Sequence, residues 1–180
     1  DLAVERGVPA TEVLQHAGLN ARLLSDLTGR ISPQQYVNLI AAVLALTGDH
    51  GLGFEVGARQ PLTAHGSLGY ALLCCSRVDE AISLLLRFWH IRGRGIRLSS
   101  FQQSENLVFE FHSDMPINEA IRRVLFDAML SGFYHSLRFI LSESQLLGEL
   151  WFDYAQPDYL SRFSEHLPTL RYQMPATQLR

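Results

Sequence analysis

At Gly93 and Gly95 the hydrophobic period of this chain changes from helical to alternating, and that change limits the folds open to it. Before the two glycines, apolar residues recur at three- and four-residue spacing. After them, Ile96, Leu98 and, at its far end, Phe101 read as one strand, and Leu107, Phe109 and Phe111 as one face of the next. The polar run Gln102 to Asn106 between them reads as a hairpin connection. Helices, then a hairpin, then strands separated by helices predict an α+β fold: a small, mainly antiparallel sheet packed against several helices.

Upstream, Val13, Leu14 and Ala17 form a short apolar stripe that stops at Gly18; Leu23, Leu24 and Leu27 form a second that stops at Gly29. The clearest helix start is at Ser32, where serine caps, Pro33 suits the first helical position and Gln35 completes a capping box. Tyr36, Leu39, Ile40, Val43 and Leu44 then share a face up to Gly48. Leu68 to Cys75 is apolar all round and reads as a buried helix. Ser76 is placed to cap the next one, with Asp79 and Glu80 in the first turn, where acids suit the helix dipole. Ile82, Leu85, Leu86 and Trp89 make its inner stripe, with Asp79, Ser83 and Arg87 outside.

Beyond the hairpin, Pro116 and Asn118 open a long helix to about Leu141, with Ile121, Val124, Leu125, Ala128 and Leu137 inward. Leu150, Phe152 and Tyr154 then alternate with Trp151 and Asp153. Pro157 starts a short helix through Tyr159, Leu160 and Phe163, which Pro168 ends, and Leu170 and Tyr172 begin a last strand. No repeat, low-complexity stretch or linker interrupts residues 1–180, which read as one domain.

Composition narrows the function. The hydrophobic share is 47%, enough for a real core, and the net charge is −3, without the basic excess of a nucleic-acid-wrapping domain. That balance sets aside a DNA-binding reading of the helix–Gly–helix rhythm in Ala10 to Asp26. All 15 basic residues are arginine, which fits a GC-rich genome more simply than a recognition role. No apolar run is long enough for a membrane span, no signal-like segment is present, and a cytoplasmic domain excised from a longer protein is expected. The adjacent Cys74 and Cys75 are not a disulfide framework; reduced, buried thiols are expected, a redox sensor being the alternative.

Gly51, Gly53, Gly57, Gly66 and Gly69, with Pro61 among them, imply tight turns and close backbone packing. Phosphate binding is the weaker alternative, because no Gly-x-Gly-x-x-Gly follows a strand and no Gly-Lys-Ser/Thr exists without lysine. Within this region, Thr47-Gly48-Asp49-His50-Gly51-Leu52-Gly53-Phe54-Glu55-Val56-Gly57 and Pro61-Leu62-Thr63-Ala64-His65-Gly66-Ser67-Leu68-Gly69-Tyr70-Ala71 resemble the arabinose-binding-like N-terminal domain of AraC-type transcription regulators. Val78-Asp79-Glu80-Ala81-Ile82, Phe88-Trp89, Gln15-His16-Ala17-Gly18-Leu19 and Ile31-Ser32-Pro33 fit the same pattern, so the likeness covers nearly the whole chain. It implies a ligand-sensing, homodimerising domain. Its DNA contacts would run only through C-terminal helix-turn-helix units outside these residues. The effectors implied are amino acids, amines and organic acids, and the family name does not license arabinose.

No catalytic, cofactor or metal residues are expected. The histidines lack zincin spacing, no nucleophile elbow is present, and Glu110, Asp114, Glu119, Asp127 and Asp153 are scattered. The candidate ligand contacts are His65, Tyr70, Trp89, Arg97, Phe109, Phe111, Tyr134 and Trp151, chosen by type and placement. The plainer role for His65 is to bond backbone groups of its own turn. The polar tips of Tyr70, Trp89, Tyr134 and Trp151 need partners, which a bound metabolite can supply. An inward-facing Arg94 or Arg97 would clamp a carboxylate, whereas an outward one is solvated. Three alternatives stand beside the sensor reading: an enzyme, a haem or redox sensor, and a dimerisation module without ligand.

Overall fold

A computed structural model of the chain describes residues 1–26, 29–141, 148–163 and 167–180; Leu27, named above, lies outside them. The helices are α1 (Leu2–Glu5), α2 (Ala10–His16), α3 (Pro33–Thr47), α4 (Leu52–Arg59), α5 (Ser67–Leu73), α6 (Val78–Phe88) and α7 (Glu119–Leu141). The strands are β1 (Ile96–Gln103), β2 (Asn106–Ser113), β3 (Glu149–Trp151), β4 (Thr169–Arg171) and β5 (Thr177–Leu179). This is the α+β class that the change of period predicts.

Local chemistry explains several boundaries. At the start of α3 the Gln35 amide donates to Ser32 Oγ at 3.2 Å, and the Ser32 amide donates to Gln35 Oε1 at 2.8 Å. The helix ends on Gly48 in the left-handed region. Asn118 Oδ1 accepts the Ala120 amide at 2.8 Å and so closes one orphan donor of α7.

Two helix readings need correction. Ser76 does not cap α6; the N-cap is Arg77, in extended conformation, whose guanidinium pairs with Asp79 instead. Nor is the α5 segment buried all round: Leu68, Gly69 and Leu72 face inward, while Tyr70, Leu73 and Cys74 are exposed. The segment lies on the surface, so one of its faces meets water whatever its composition. Both cysteines are free, but Cys74 is exposed rather than buried.

The sheet runs β1-β2-β5-β3-β4. The hairpin register pairs Leu98 with Phe111 and Phe101 with Val108, which turns Phe101 away from Leu98 and into solvent. β5 pairs antiparallel with both β2 and β3, whereas β3 and β4 are parallel. Thus the strand expected to be last, at Leu170 and Tyr172, is the edge strand β4 (Thr169–Arg171), and the centre of the sheet is a later three-residue strand, Thr177–Leu179, which hydrophobic pattern does not reveal. Phe109, Phe111, Leu150, Phe152 and Leu179 cover one face of the sheet and pack against Phe126, Leu130 and Tyr134 of α7. The alternation read at Leu150, Phe152 and Tyr154 is real: all three are buried.

Helix α4 meets α7 at backbone distance. A Cβ on Gly57 would lie 2.3 Å from the Ala128 carbonyl oxygen, and one on Gly53 2.5 Å from that of Val124. Ser131 Oγ of α7 donates to the Phe54 carbonyl at 3.0 Å across the same contact. Close backbone packing is therefore the work these glycines do. α3 is wedged between α2, through Leu39 and Val43, and the N-terminal half of α7, through Leu44.

Candidate functional site

Helix α6 has a strong apolar stripe, yet Ala81 is its only fully buried residue among those described. Ile82, Leu85, Leu86 and Trp89 are half-buried; Ile82 and Trp89 pack against the core of the sheet, and Leu85 against Leu62, Leu68 and Leu72. Beneath α6 lies a cavity of about 60 Å³. Its walls come from four places in the chain: Leu68 of α5, Ile82 and Leu85 of α6, Phe109 of β2, and Phe133 and Leu137 of α7. Its polar groups are His65, Arg92 and Ser136, and no carboxylate lines it among the described residues.

His65 sits in a short 3-10 turn, Leu62–His65, that leads into α5 through Gly66, whose φ of 62° favours glycine. The turn is held by backbone bonds, Ala64 N to Pro61 O at 2.9 Å and Gly66 N to Thr63 O at 3.0 Å. Among the described residues the imidazole makes no hydrogen bond of its own, so tying the turn together is not its role. Burial first, and then the positive charge of Arg92, hold it below the usual histidine value. It therefore stands neutral at physiological pH, with a donor and an acceptor to offer. Arg92 is exposed at the rim and has no carboxylate partner among the described residues.

Trp89 separates this cavity from an open groove of about 570 Å³ along β1. Its ring stands edge-on to Phe133 at 5.6 Å and Phe111 at 6.2 Å. Its Nε1 donates to the Ile96 carbonyl at 2.7 Å, so the protein, not a ligand, satisfies its polar tip. A Cβ on Gly93 would strike the ring at 2.1 Å; glycine is what lets the indole lie there. The groove mixes apolar walls, Leu86, Ile96 and Leu98, with charged ones. Arg97 faces outward in it and grips Asp114 with two bonds of 2.7 and 2.9 Å, which holds that carboxyl below its ordinary value.

Of the eight candidate contacts, the fold brings His65, Trp89 and Phe109 together on the cavity. Phe111 lies behind them, 4.9 Å from Phe133. Tyr134 is buried further along α7, with Arg138 over its ring at 5.7 Å. Tyr70 is 61% exposed. Trp151 lies on the other face of the sheet, under Arg180 at 3.9 Å, and its indole donates to Glu149 at 2.6 Å. Sequence reasoning missed Arg92 and Ser136. Arg92 follows Trp89 by three residues, so extending the α6 stripe by one turn points to it. Ser136 carries no comparable signal.

Two polar clusters hold the scaffold. Asp127 of α7 is fully buried and accepts the hydroxyls of Tyr154 at 2.6 Å and Tyr159 at 2.7 Å. Burial pushes its carboxyl up to about 7, against the opposing pull of those two hydroxyls. Asp49 accepts from Arg162 and Arg6 at 2.7 Å each and from the Gly51 amide at 3.0 Å; these bonds hold its carboxyl well below the usual range. The Gly48-Asp49-His50-Gly51 run is thus a structural clamp. No group of three or more potential metal ligands occurs among the described residues, and no helix among them is long and apolar enough to cross a membrane.

Comparison with known proteins agrees with this architecture. The chain is 26% identical over 165 residues to the ornithine utilization regulator of Pseudomonas aeruginosa, covering 92% of the chain and 48% of that protein. It is 26% identical over 111 residues to an uncharacterised helix-turn-helix-type transcriptional regulator of Mycobacterium tuberculosis, covering 61% of the chain and 32% of that protein. The crystal structure of the transcriptional regulator CdpR from Pseudomonas aeruginosa shares the fold, with a TM-score of 0.66 at 16% identity over 93% of this chain and 52% of that one. The chain therefore spans about half or less of the length of these relatives. The family described as the N-terminal arabinose-binding domain of AraC transcription regulators matches residues 7–180. The chain belongs to that family.

Proposed function

We propose that this domain senses a small-molecule effector in the cavity under α6 and passes its occupancy to a DNA-binding domain elsewhere in the same regulator. The observation that carries the reading is the cavity itself. It is an apolar space with a few polar groups, roofed by an amphipathic helix whose stripe is only half-buried. Pockets for small molecules have this character. The cavity is far smaller than the several hundred Å³ typical of such sites, so a larger effector binds only as α6 lifts. An effector that fits the cavity favours the seated arrangement of α6 and a larger one the lifted arrangement; in either case its differential affinity for the two drives the switch.

On this reading the domain is cytoplasmic, works as a homodimer, catalyses nothing and reaches DNA only through its partner domain. Kinship with a regulator named for ornithine utilization supports an effector from amino acid metabolism, of the amino acid, amine or organic acid class.

A thermal-shift screen of the 180-residue chain against these classes tests the proposal. A true effector raises stability in a saturable way, by about 2.7 kcal/mol at a hundredfold excess over its dissociation constant. Absence of any shift across a broad set, with the protein folded, turns the reading to a domain that serves dimerisation alone.

A further inference from the structure

We infer that the effector is a short carboxylate with an apolar body, its carboxylate held at Arg92 and His65 and its chain lying against Ile82, Trp89 and Phe109. This inference rests on the cavity under α6 being the effector site.

The charge lining the cavity is one-sided. Arg92 stands at the rim with no carboxylate of the protein to neutralise it among the described residues. Arg97, by contrast, already has Asp114 in its fork. An unpaired guanidinium beside an apolar space is a receptor for a carboxylate, which it binds with two parallel charge-assisted bonds. His65 adds a neutral donor next to it, and a carboxylate offers acceptors to both. The remaining walls are apolar apart from Ser136.

An ammonium group would meet the opposite conditions. It would leave water for a space with no described carboxylate to receive it, beside a fixed positive charge. A buried charge without a partner is costly. Amines and diamino acids are therefore poor occupants, even though a relative is named for ornithine.

Size sets the chain length. At about 10–15 Å³ of such volume per water-sized site, the cavity of about 60 Å³ holds roughly four to six non-hydrogen atoms. A four- or five-carbon tail fits with the carboxylate at the rim, and longer tails require α6 to move.

The test is a nitrogen–proton correlation titration of the chain with pentanoate, pentanamide, pentylamine and ornithine. The protein has two tryptophans, so the Trp89 indole reports on the cavity and the Trp151 indole, across the sheet, serves as the control. Pentanoate is expected to shift Trp89 and leave Trp151 in place, with at least tenfold tighter binding than pentanamide and no saturable effect of the amines. In Arg92→Gln, an exposed position whose change leaves the core intact, pentanoate should fall to the affinity of the amide.

Equal binding of acid and amide, tighter binding of either amine, or an undiminished acid preference in Arg92→Gln overturns the carboxylate assignment and leaves the cavity as the effector site. If no compound moves Trp89, neither with these four nor in the broad screen, the cavity reading fails and takes this inference with it.

Discussion

Helix α7 meets its neighbours in two contrasting ways along its length. From Val124 to Gly132 it touches α4 backbone to backbone, with Gly53 and Gly57 removing every atom that would keep the helices apart. From Phe133 to Ile140 it faces α6 across a cavity. The first region also holds Asp127, locked by two tyrosines from the segment after β3, while the second has half-exposed leucines and an arginine with no acid to pair with among the described residues. On the proposed reading the contrast separates a scaffold from a moving part. Close-packed interiors resist displacement by even one methylene, whereas a helix resting on a cavity shifts at little cost.

The sharpest way to break this comparison is through pH. The Asp127 carboxyl stands near 7 in the folded protein and near 4 in an unfolded chain. Between those values the folded state holds a proton that the unfolded state has released, so stability falls as pH rises from 4 to 7. The loss is on the order of 4 kcal/mol, at about 1.4 kcal/mol for each pH step. The opposite dependence from Asp49 and Glu149, whose carboxyls arginines hold low, belongs below pH 4. Urea denaturation at pH 5 and 7.5 should show about 2.5 kcal/mol of that loss in the wild type, and Asp127→Asn should abolish it, leaving only the opposite, rising dependence of His65, which burial holds below the ordinary histidine value. Equal slopes in the two proteins would mean that the scaffold side is not closed by a buried carboxyl.

Next in size is the glycine contact. Gly57→Val should cost about 3 kcal/mol or more, because the atoms it strikes are backbone and cannot give way. Gly132→Ala, whose Cβ meets nothing nearer than 3.6 Å, should instead gain about 0.5 kcal/mol from helix propensity. Thermal melts of the pair measure both signs, and a tolerated valine at position 57 would remove the distinction between tight and loose halves.

The smallest effect compares leucines. Leu130→Ala in the fully buried part of α7 should cost about 3 kcal/mol, and Leu85→Ala in α6 about 1 kcal/mol, because the latter removes a side chain that is already half in water. Hydrogen exchange sharpens the result. Amides of α6 should exchange before those of α7, and a bound effector should slow the former alone.

Much of the fold was legible because its signals are local. The capping box at Ser32 and Gln35, the Asn118 cap of α7 and the alternation at Leu150, Phe152 and Tyr154 each depend on neighbours within a few residues. Ser76 misled because serine is a good cap wherever the chain presents it as one, and here Arg77 took that place by pairing with Asp79. The all-apolar look of Leu68 to Cys75 misled because exposure depends on what packs outside the helix. Of the candidate contacts, Trp89 and Phe109 reached the cavity through their helix and strand faces. Tyr70 and Trp151 were chosen for their chemistry and point elsewhere.

By itself, then, the sequence determined the succession of elements, the hairpin, the capped helices and, through the Gly-Leu-Gly and His-Gly runs, membership of the family. Tertiary structure alone decided that Thr177–Leu179 lies at the middle of the sheet, that Asp127 is the buried acid among several scattered ones, and that His65, Arg92 and Phe109 share one cavity. The physical reason is common to all three. Caps and periodicity arise from interactions along a few turns of chain, whereas strand order, burial of a charge and the walls of a cavity depend on residues distant in sequence that meet only when the core closes.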